Sequence, residues 1–202
     1  SNLSTDEWIT IRKYIHKDRY IDREIALDNL FIIIKLLDIY KIDYRLIFGA
    51  LLGLFRDKEL IKWDSDIDLF VTDENFKKIN DINFLEQVNK EGFIFRCEEN
   101  KRKKKFFKNY EKIAINSYRL KNSKYIRSNY NFPKSLLEEY TLLTVKNNQI
   151  KVPKSIENFL EFTYGKNWKK PIKSSDERDY MTSDVRSGGR LGRIMEILKK
   201  LN

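Results

Sequence analysis

Helices first, then mixed strands and helices, then a helical tail: this order of elements predicts an α+β fold. Two observations carry that prediction. An apolar stripe at helical spacing runs over residues 22–40, and short β-like segments separated by charged turns follow from Gly92 onward. Ser4-Thr5-Asp6-Glu7 has the form of a capping box, so a first helix opens there. Ile25, Leu27, Leu30, Ile33, Ile34 and Leu37 share one broad face, the mark of an amphipathic helix. Tyr44 to Phe48 reads as a short strand stopping at Gly49, and Ala50 to Phe55 as one or two helical turns. Asp66 to Val71 alternates acidic and apolar side chains, the period of a strand. Residues 73–90 return to helical spacing through Phe76, Ile79, Phe84 and Val88, with a break near Asp81.

Past Gly92, Phe93–Cys97, Lys105–Tyr110 and Lys112–Tyr118 read as strands. Tyr140–Val145 leads through a turn at Lys146–Gln149 into Ile150–Pro153. Ile156–Phe162 reads as a helix ending near Gly165, residues 171–190 as loop, and Leu191, Ile194, Met195 and Leu198 as the stripe of a last short helix. No internal repeat or long low-complexity linker interrupts the chain. It therefore reads as one domain over 1–202, with a helical segment at 1–41, a core at 42–171 and a tail with its helix at 172–202.

Thirteen Phe and eleven Tyr within a 41% hydrophobic composition are too much packing material for a disordered chain. No apolar run approaches the ~20 residues of a membrane span, and Ser1-Asn2-Leu3-Ser4 lacks the basic and apolar regions of a secretory signal. A lone cysteine, Cys97, and a lone histidine, His16, exclude an intramolecular disulfide and a His/Cys metal centre. A reducing, cytoplasmic setting follows as the default. Cys97 reads as a small packing residue, His16 as a surface residue, and Arg186–Arg190 as a turn. The net charge of +10 is densest at Lys101–Lys105. That run reads as a solvated turn or as an attractor for an anion, whether nucleotide, nucleic acid, acidic lipid surface or anionic polymer.

Asp64, Asp66 and Asp68 are the constellation that carries chemistry. On an extended strand, side chains two apart share a face, so Asp66 and Asp68 point together, and Asp64 joins them if the strand extends that far. Carboxylates this close repel unless a cation lies between them. Oxygen ligands in a small cluster suit Mg²⁺ or Mn²⁺, with substrate phosphates completing the shell. An EF-hand loop is excluded, because its sixth position would be Leu69 instead of Gly and its twelfth Asn75 instead of Glu. No P-loop is present. Upstream, Phe48-Gly49-Ala50-Leu51-Leu52-Gly53 ends a strand in a turn whose Gly49 would let backbone N–H groups approach a phosphate.

Phe48–Arg56 followed by Ile61-Lys62-Trp63-Asp64-Ser65-Asp66-Ile67-Asp68-Leu69 resembles the signature of the LicD and fukutin family. A second block agrees: Phe132-Pro133, Val152-Pro153, and Tyr164-Gly165-Lys166-Asn167-Trp168 with Pro171. The resemblance implies a nucleotidyltransferase (polymerase-beta-like) fold, a mixed sheet flanked by helices, in which the acids bind Mg²⁺ or Mn²⁺. It implies transfer of a phosphorylated alcohol, phosphocholine or ribitol phosphate, from a CDP-linked donor to a glycan or anionic polymer hydroxyl. By position it implies Asp66 and Asp68 as metal ligands and Asp64 as a third ligand or orienting group. It further implies Gly49, Ala50 and Gly53 around the phosphate turn, with Arg56 on donor phosphate. Trp63 and Trp168 read as packing residues.

The chain departs from the pattern in three places. Ala50 stands for the usual Thr, and Lys62 for the Pro before Trp63. The family's later-strand carboxylate has its nearest counterpart in Lys112–Asn116, which offers Ala114 and Asn116. Three explanations stand open: a different alignment, substitution by Glu98, Glu99 or Glu111, or reduced activity. Two other function classes compete with this reading. One is a nucleotidyltransferase that uses an NTP to modify RNA, a protein or a small hydroxyl. The other is a degenerate, non-catalytic binding module. No recognition-helix or RNP-like motif supports nucleic acid as a partner, whereas the basic surface suits an anionic acceptor or peripheral contact with the inner membrane face.

Overall fold

The computed structural model describes Asp6 and residues 20–98, 102–174 and 176–186. The expected first helix, His16, Glu99 and the expected last helix all lie outside the described residues, except that Asp6 itself is helical. The chain forms two compact units. One holds residues up to Ser117 together with Leu142–Val152, the other Tyr118–Thr141 and the residues from Pro153 onward.

In the first unit, helix α1 (Arg23–Ile39) is capped by Asp22, whose side chain accepts the Ile25 N–H. Its stripe of Leu27, Leu30, Ile33, Ile34 and Leu37 is buried, as the spacing demands. Strand β1 (Arg45–Ile47) runs straight into helix α2 (Phe48–Arg56), and β2 (Ile67–Thr72) pairs antiparallel with β1. The helical stretch after β2 breaks where expected. Helix α3 (Asp73–Lys78) ends before Asp81, whose side chain caps α4 (Ile82–Lys90) by accepting from Asn83 and Phe84. Strands β3 (Ile94–Glu98), β4 (Lys103–Lys108) and β5 (Glu111–Lys121) complete the sheet in the order β1-β2-β5-β4-β3, with β3/β4 and β4/β5 antiparallel.

In the second unit the end of β5 pairs antiparallel with β6 (Lys124–Arg127), which pairs with β7 (Tyr130–Pro133). Helix α5 (Lys134–Leu137), helix α6 (Ile156–Tyr164) and the short helix α7 (Ser183–Arg186) follow. The expected loop at 171–190 thus contains α7 and a 3₁₀ turn at Glu177–Asp179. Strands β8 (Tyr140–Val145) and β9 (Asn148–Pro153), most of whose residues belong to the first unit, form a separate two-stranded sheet.

Three strand connections are two-residue turns with both residues in the left-handed region: Asn109-Tyr110, Asn122-Ser123 and Lys146-Asn147. Paired positive φ angles match the right-handed twist of the strands they join, and Asn tolerates that conformation better than most residues. This tight turn at Asn109-Tyr110 fixes the β4–β5 register, placing Lys103 opposite Asn116 and Lys105 opposite Ala114.

Candidate active site

Asp66 precedes β2 and Asp68 is its second residue, so both project from the same face, one-sixth to one-fifth exposed. Ile67 and Leu69, on the opposite face, are fully buried and anchor the strand. The same alternation on β5 brings Lys112, Ala114 and Asn116 to the carboxylate face. Glu111, one position out of phase, turns away, and its Oε1 accepts the Asp22 backbone N–H at 3.1 Å. Glu111 therefore does not replace the later carboxylate.

The β5 residue that reaches the acids is Asn116. Its Nδ2 donates to Asp68 Oδ1 at 2.8 Å, while its buried Oδ1 has no hydrogen-bond partner. Lys112 Nζ lies 3.1 Å from Asp66, and Lys103 Nζ, from β4, lies 3.5 Å from Asp68 and 4.0 Å from Asp66. Burial alone would raise the Asp66 carboxyl, but the ammonium groups of Lys112 and Lys103 outweigh it and hold Asp66 below the usual carboxylate range. Lys112 is desolvated too, yet Asp66 in hydrogen-bond reach lifts it above the ordinary lysine value.

Asp64 stands in a different environment. Its Oδ1 accepts the Ser65 N–H at 2.8 Å, and its carboxylate lies against Gly49 in the first turn of α2. A Cβ on Gly49 would fall 2.0 Å from Asp64 Oδ2, so the close approach that requires glycine here is made by this carboxylate. Burial, then the nearby Asp66, push the Asp64 carboxyl up to about 7. Gly53 has another duty: a Cβ there would meet Glu59 O at 2.6 Å and Ile61 N at 2.9 Å, so it lets the 57–61 loop close onto α2. Phe48, the first residue of α2, takes φ +57, a left-handed conformation costing roughly 1–2 kcal/mol in a non-glycine residue. The backbone is thus strained at the strand-to-helix corner that carries Gly49. Ala50 and Gly53 are buried in α2, and Arg56 at its end is held by Asp57 through Nε at 2.8 Å and Nη2 at 2.7 Å.

The basic run proves to be strand instead of turn from Lys103 onward. Lys104 is almost fully buried, with Nζ 5.1 Å from the centre of the Phe95 ring. Sequence reasoning missed Lys103 and Lys112 as site residues. The available signal was alternation: Lys112 and Asn116 share a strand face, as do Lys103 and Lys105. Trp168 is buried as expected, but Trp63, beside Asp64, is 38% exposed.

Among the described residues, no three carboxylate, imidazole or thiolate groups converge closely enough to enclose a metal ion by themselves. Asp66 and Asp68 nevertheless offer hard oxygen donors on one face, and the Lys103 ammonium near both shows that this face holds positive charge. These two carboxylates would be the residues to hold an oxygen-ligated divalent ion, which would need further ligands from outside the chain's acids.

A family model described as LicD/FKTN/FKRP, nucleotidyltransferase domain, matches residues 41–155, over half of the chain. The chain belongs to this family. The LicD match takes in β1, α2, β2 and the whole carboxylate face, while the Tyr164–Pro171 block lies beyond it. The matched segment is the nucleotidyltransferase domain of that family. A search of curated proteins found no match. Among solved structures, the chain is similar to the crystal structure of ANT(2")-Ia in complex with adenylyl-2"-tobramycin, at 12% identity and a TM-score of 0.43. That likeness covers 61% of this chain and 66% of the other, just under two thirds of its length. Among the described residues, no helix is long and apolar enough to cross a membrane.

Proposed function

We propose that this LicD-family protein is a divalent-metal-dependent transferase that moves a phosphorylated alcohol from a CDP-linked donor to a hydroxyl of a glycan or other cell-surface polymer. The observation that carries the reading is the pair Asp66 and Asp68 on one face at the start of β2, inside the matched segment. In this reading Asp66 and Asp68 hold Mg²⁺ or Mn²⁺, and Asp64, packed over Gly49, orients the site. Bound there, the cation would supply charge neutralisation on the transferring phosphoryl group and the departing nucleotide. The acceptor oxygen forms a bond to the phosphorus bearing the alcohol. The bridging oxygen leaves with its electron pair as part of CMP, and a carboxylate of the cluster takes the hydroxyl proton. Arg56, at the end of α2, is the candidate contact for donor phosphate once it exchanges Asp57 for substrate.

Asn116 in the position of a later carboxylate, with two lysines already neutralising the pair, favours a second reading: a non-catalytic relative that binds nucleotide without turning it over. One assay separates the two. Mg²⁺-dependent release of CMP from CDP-choline or CDP-ribitol, lost in Asp66→Asn with Asp68→Asn, supports the transferase. Metal-dependent CDP binding without turnover supports the binding module. Pyrophosphate release from an NTP, with no turnover of CDP-alcohols, would contradict both in favour of nucleotide transfer. Cytoplasmic placement and any contact with a membrane face belong to this proposal as its setting.

A further inference from the structure

Lys103 and Lys112 reach the carboxylates of this face, and the motif accounts for neither. Lys103 and Lys112 come from neighbouring strands, and their side chains are only 17% and 15% exposed. Partly burying an ammonium group is costly unless an anion meets it, and here each meets the acids of β2. The contacts are unequal. Lys112 makes a close ion pair with Asp66 at 3.1 Å, whereas Lys103 stands off at 3.5 Å and 4.0 Å from two acids. An ammonium group has three N–H donors. A single carboxylate contact therefore leaves Lys112 with capacity for further acceptors, and the loose contacts of Lys103 leave it more.

Charge count points the same way. Three carboxylates face the ammonium groups of Lys103 and Lys112, and the charge of Lys105 also reaches Asp66, so a divalent cation bound by Asp66 and Asp68 would make the face positive. An anionic group would then find the metal and both lysines on one face. Asn116 strengthens the case, because the neutral amide at this position adds no further negative charge to repel such a group.

We propose that Lys112 and Lys103 are donor-binding residues of this site: they hold Asp66 and Asp68 before substrate arrives and turn to the diphosphate of the nucleotide donor when metal and donor enter. This inference rests on the reading of the site as one for a metal and a CDP-linked donor. It differs from a purely structural counter-ion role in one measurable respect. An ammonium group beside a metal-binding carboxylate opposes the metal and favours the phosphate, so removing it shifts the two affinities in opposite directions.

The test is calorimetric titration of the full chain with Mn²⁺ alone and with CDP in saturating Mn²⁺, for the wild type, Lys112→Met, Lys103→Met and Lys112→Arg. Circular dichroism confirms that each variant is folded. The expected result is Mn²⁺ bound several-fold tighter by both Met variants, with CDP bound about tenfold weaker or more, as for loss of a charge-assisted hydrogen bond. Lys112→Arg restores most of the CDP affinity. CDP affinity unchanged in both Met variants overturns the proposal while leaving the donor site standing. Weakening of Mn²⁺ and CDP together assigns the lysines a structural role and also overturns it. A wild type that binds no CDP in Mn²⁺ overturns both this proposal and the donor reading beneath it.

Discussion

Asp66 and Asp68 sit 17% and 19% exposed among ammonium and amide groups, whereas Phe132, in the second unit, is fully buried among rings. Phe132 stacks on Phe159 at 5.2 Å, meets Tyr118 edge-on at 6.0 Å and lies 6.0 Å from Phe162. Both regions contain residues of the two sequence blocks that share one family resemblance, yet their physics is opposite. The first block places like charges together, an arrangement that costs free energy until a cation compensates it. The second places aromatic surface together, which stabilises the fold directly. A motif match therefore marks two kinds of residue, and only the strained, charged kind points to chemistry.

This contrast can be broken by substitution. The largest effect is expected from Asp66→Asn with Asp68→Asn, which should lower CMP release about a thousandfold or more while thermal melting shows a native-like transition. Phe132→Ala should do the reverse. Urea unfolding is expected to show a loss of about 3–5 kcal/mol, while Mn²⁺ affinity per folded molecule stays at the wild-type value. Next come the two glycines of α2. Each alanine forces an overlap costing about 1–3 kcal/mol. Gly49→Ala displaces Asp64 and lowers activity beyond its effect on stability, whereas Gly53→Ala, which meets the Glu59 and Ile61 backbone, acts mainly on stability. The smallest effect separates the tryptophans. Trp168→Phe in its buried position should cost about 1–3 kcal/mol, and the exposed Trp63→Phe should stay within about 0.5 kcal/mol. Equal costs at Trp63 and Trp168 would show that the site block packs like the core block.

What was legible in the sequence was local. The stripe on α1, the break at Asp81 and the acid alternation entering β2 all follow from spacing within a few residues, and all appear in the structure. Strands β6 and β7 escaped notice because each is four residues long and their turns use Asn and Ser instead of Gly. Lys103 and Lys112 escaped for a different reason. Their meeting with Asp66 and Asp68 depends on the β4–β5 register and on β5 lying next to β2, which no short window of sequence encodes. That Asn116 and not Glu111 faces the acids became visible only with β5 placed beside β2.

The central claim is that Asp66 and Asp68 hold a divalent ion that receives a nucleotide diphosphate. A crystal structure with Mn²⁺ and CDP, read by anomalous scattering at the manganese edge, tests it most directly. The account predicts a manganese peak at Asp66 and Asp68, with the diphosphate within hydrogen-bond reach of Lys112 and Lys103. CDP bound elsewhere, or Lys112 still paired to Asp66 with no manganese between the two acids, would contradict it.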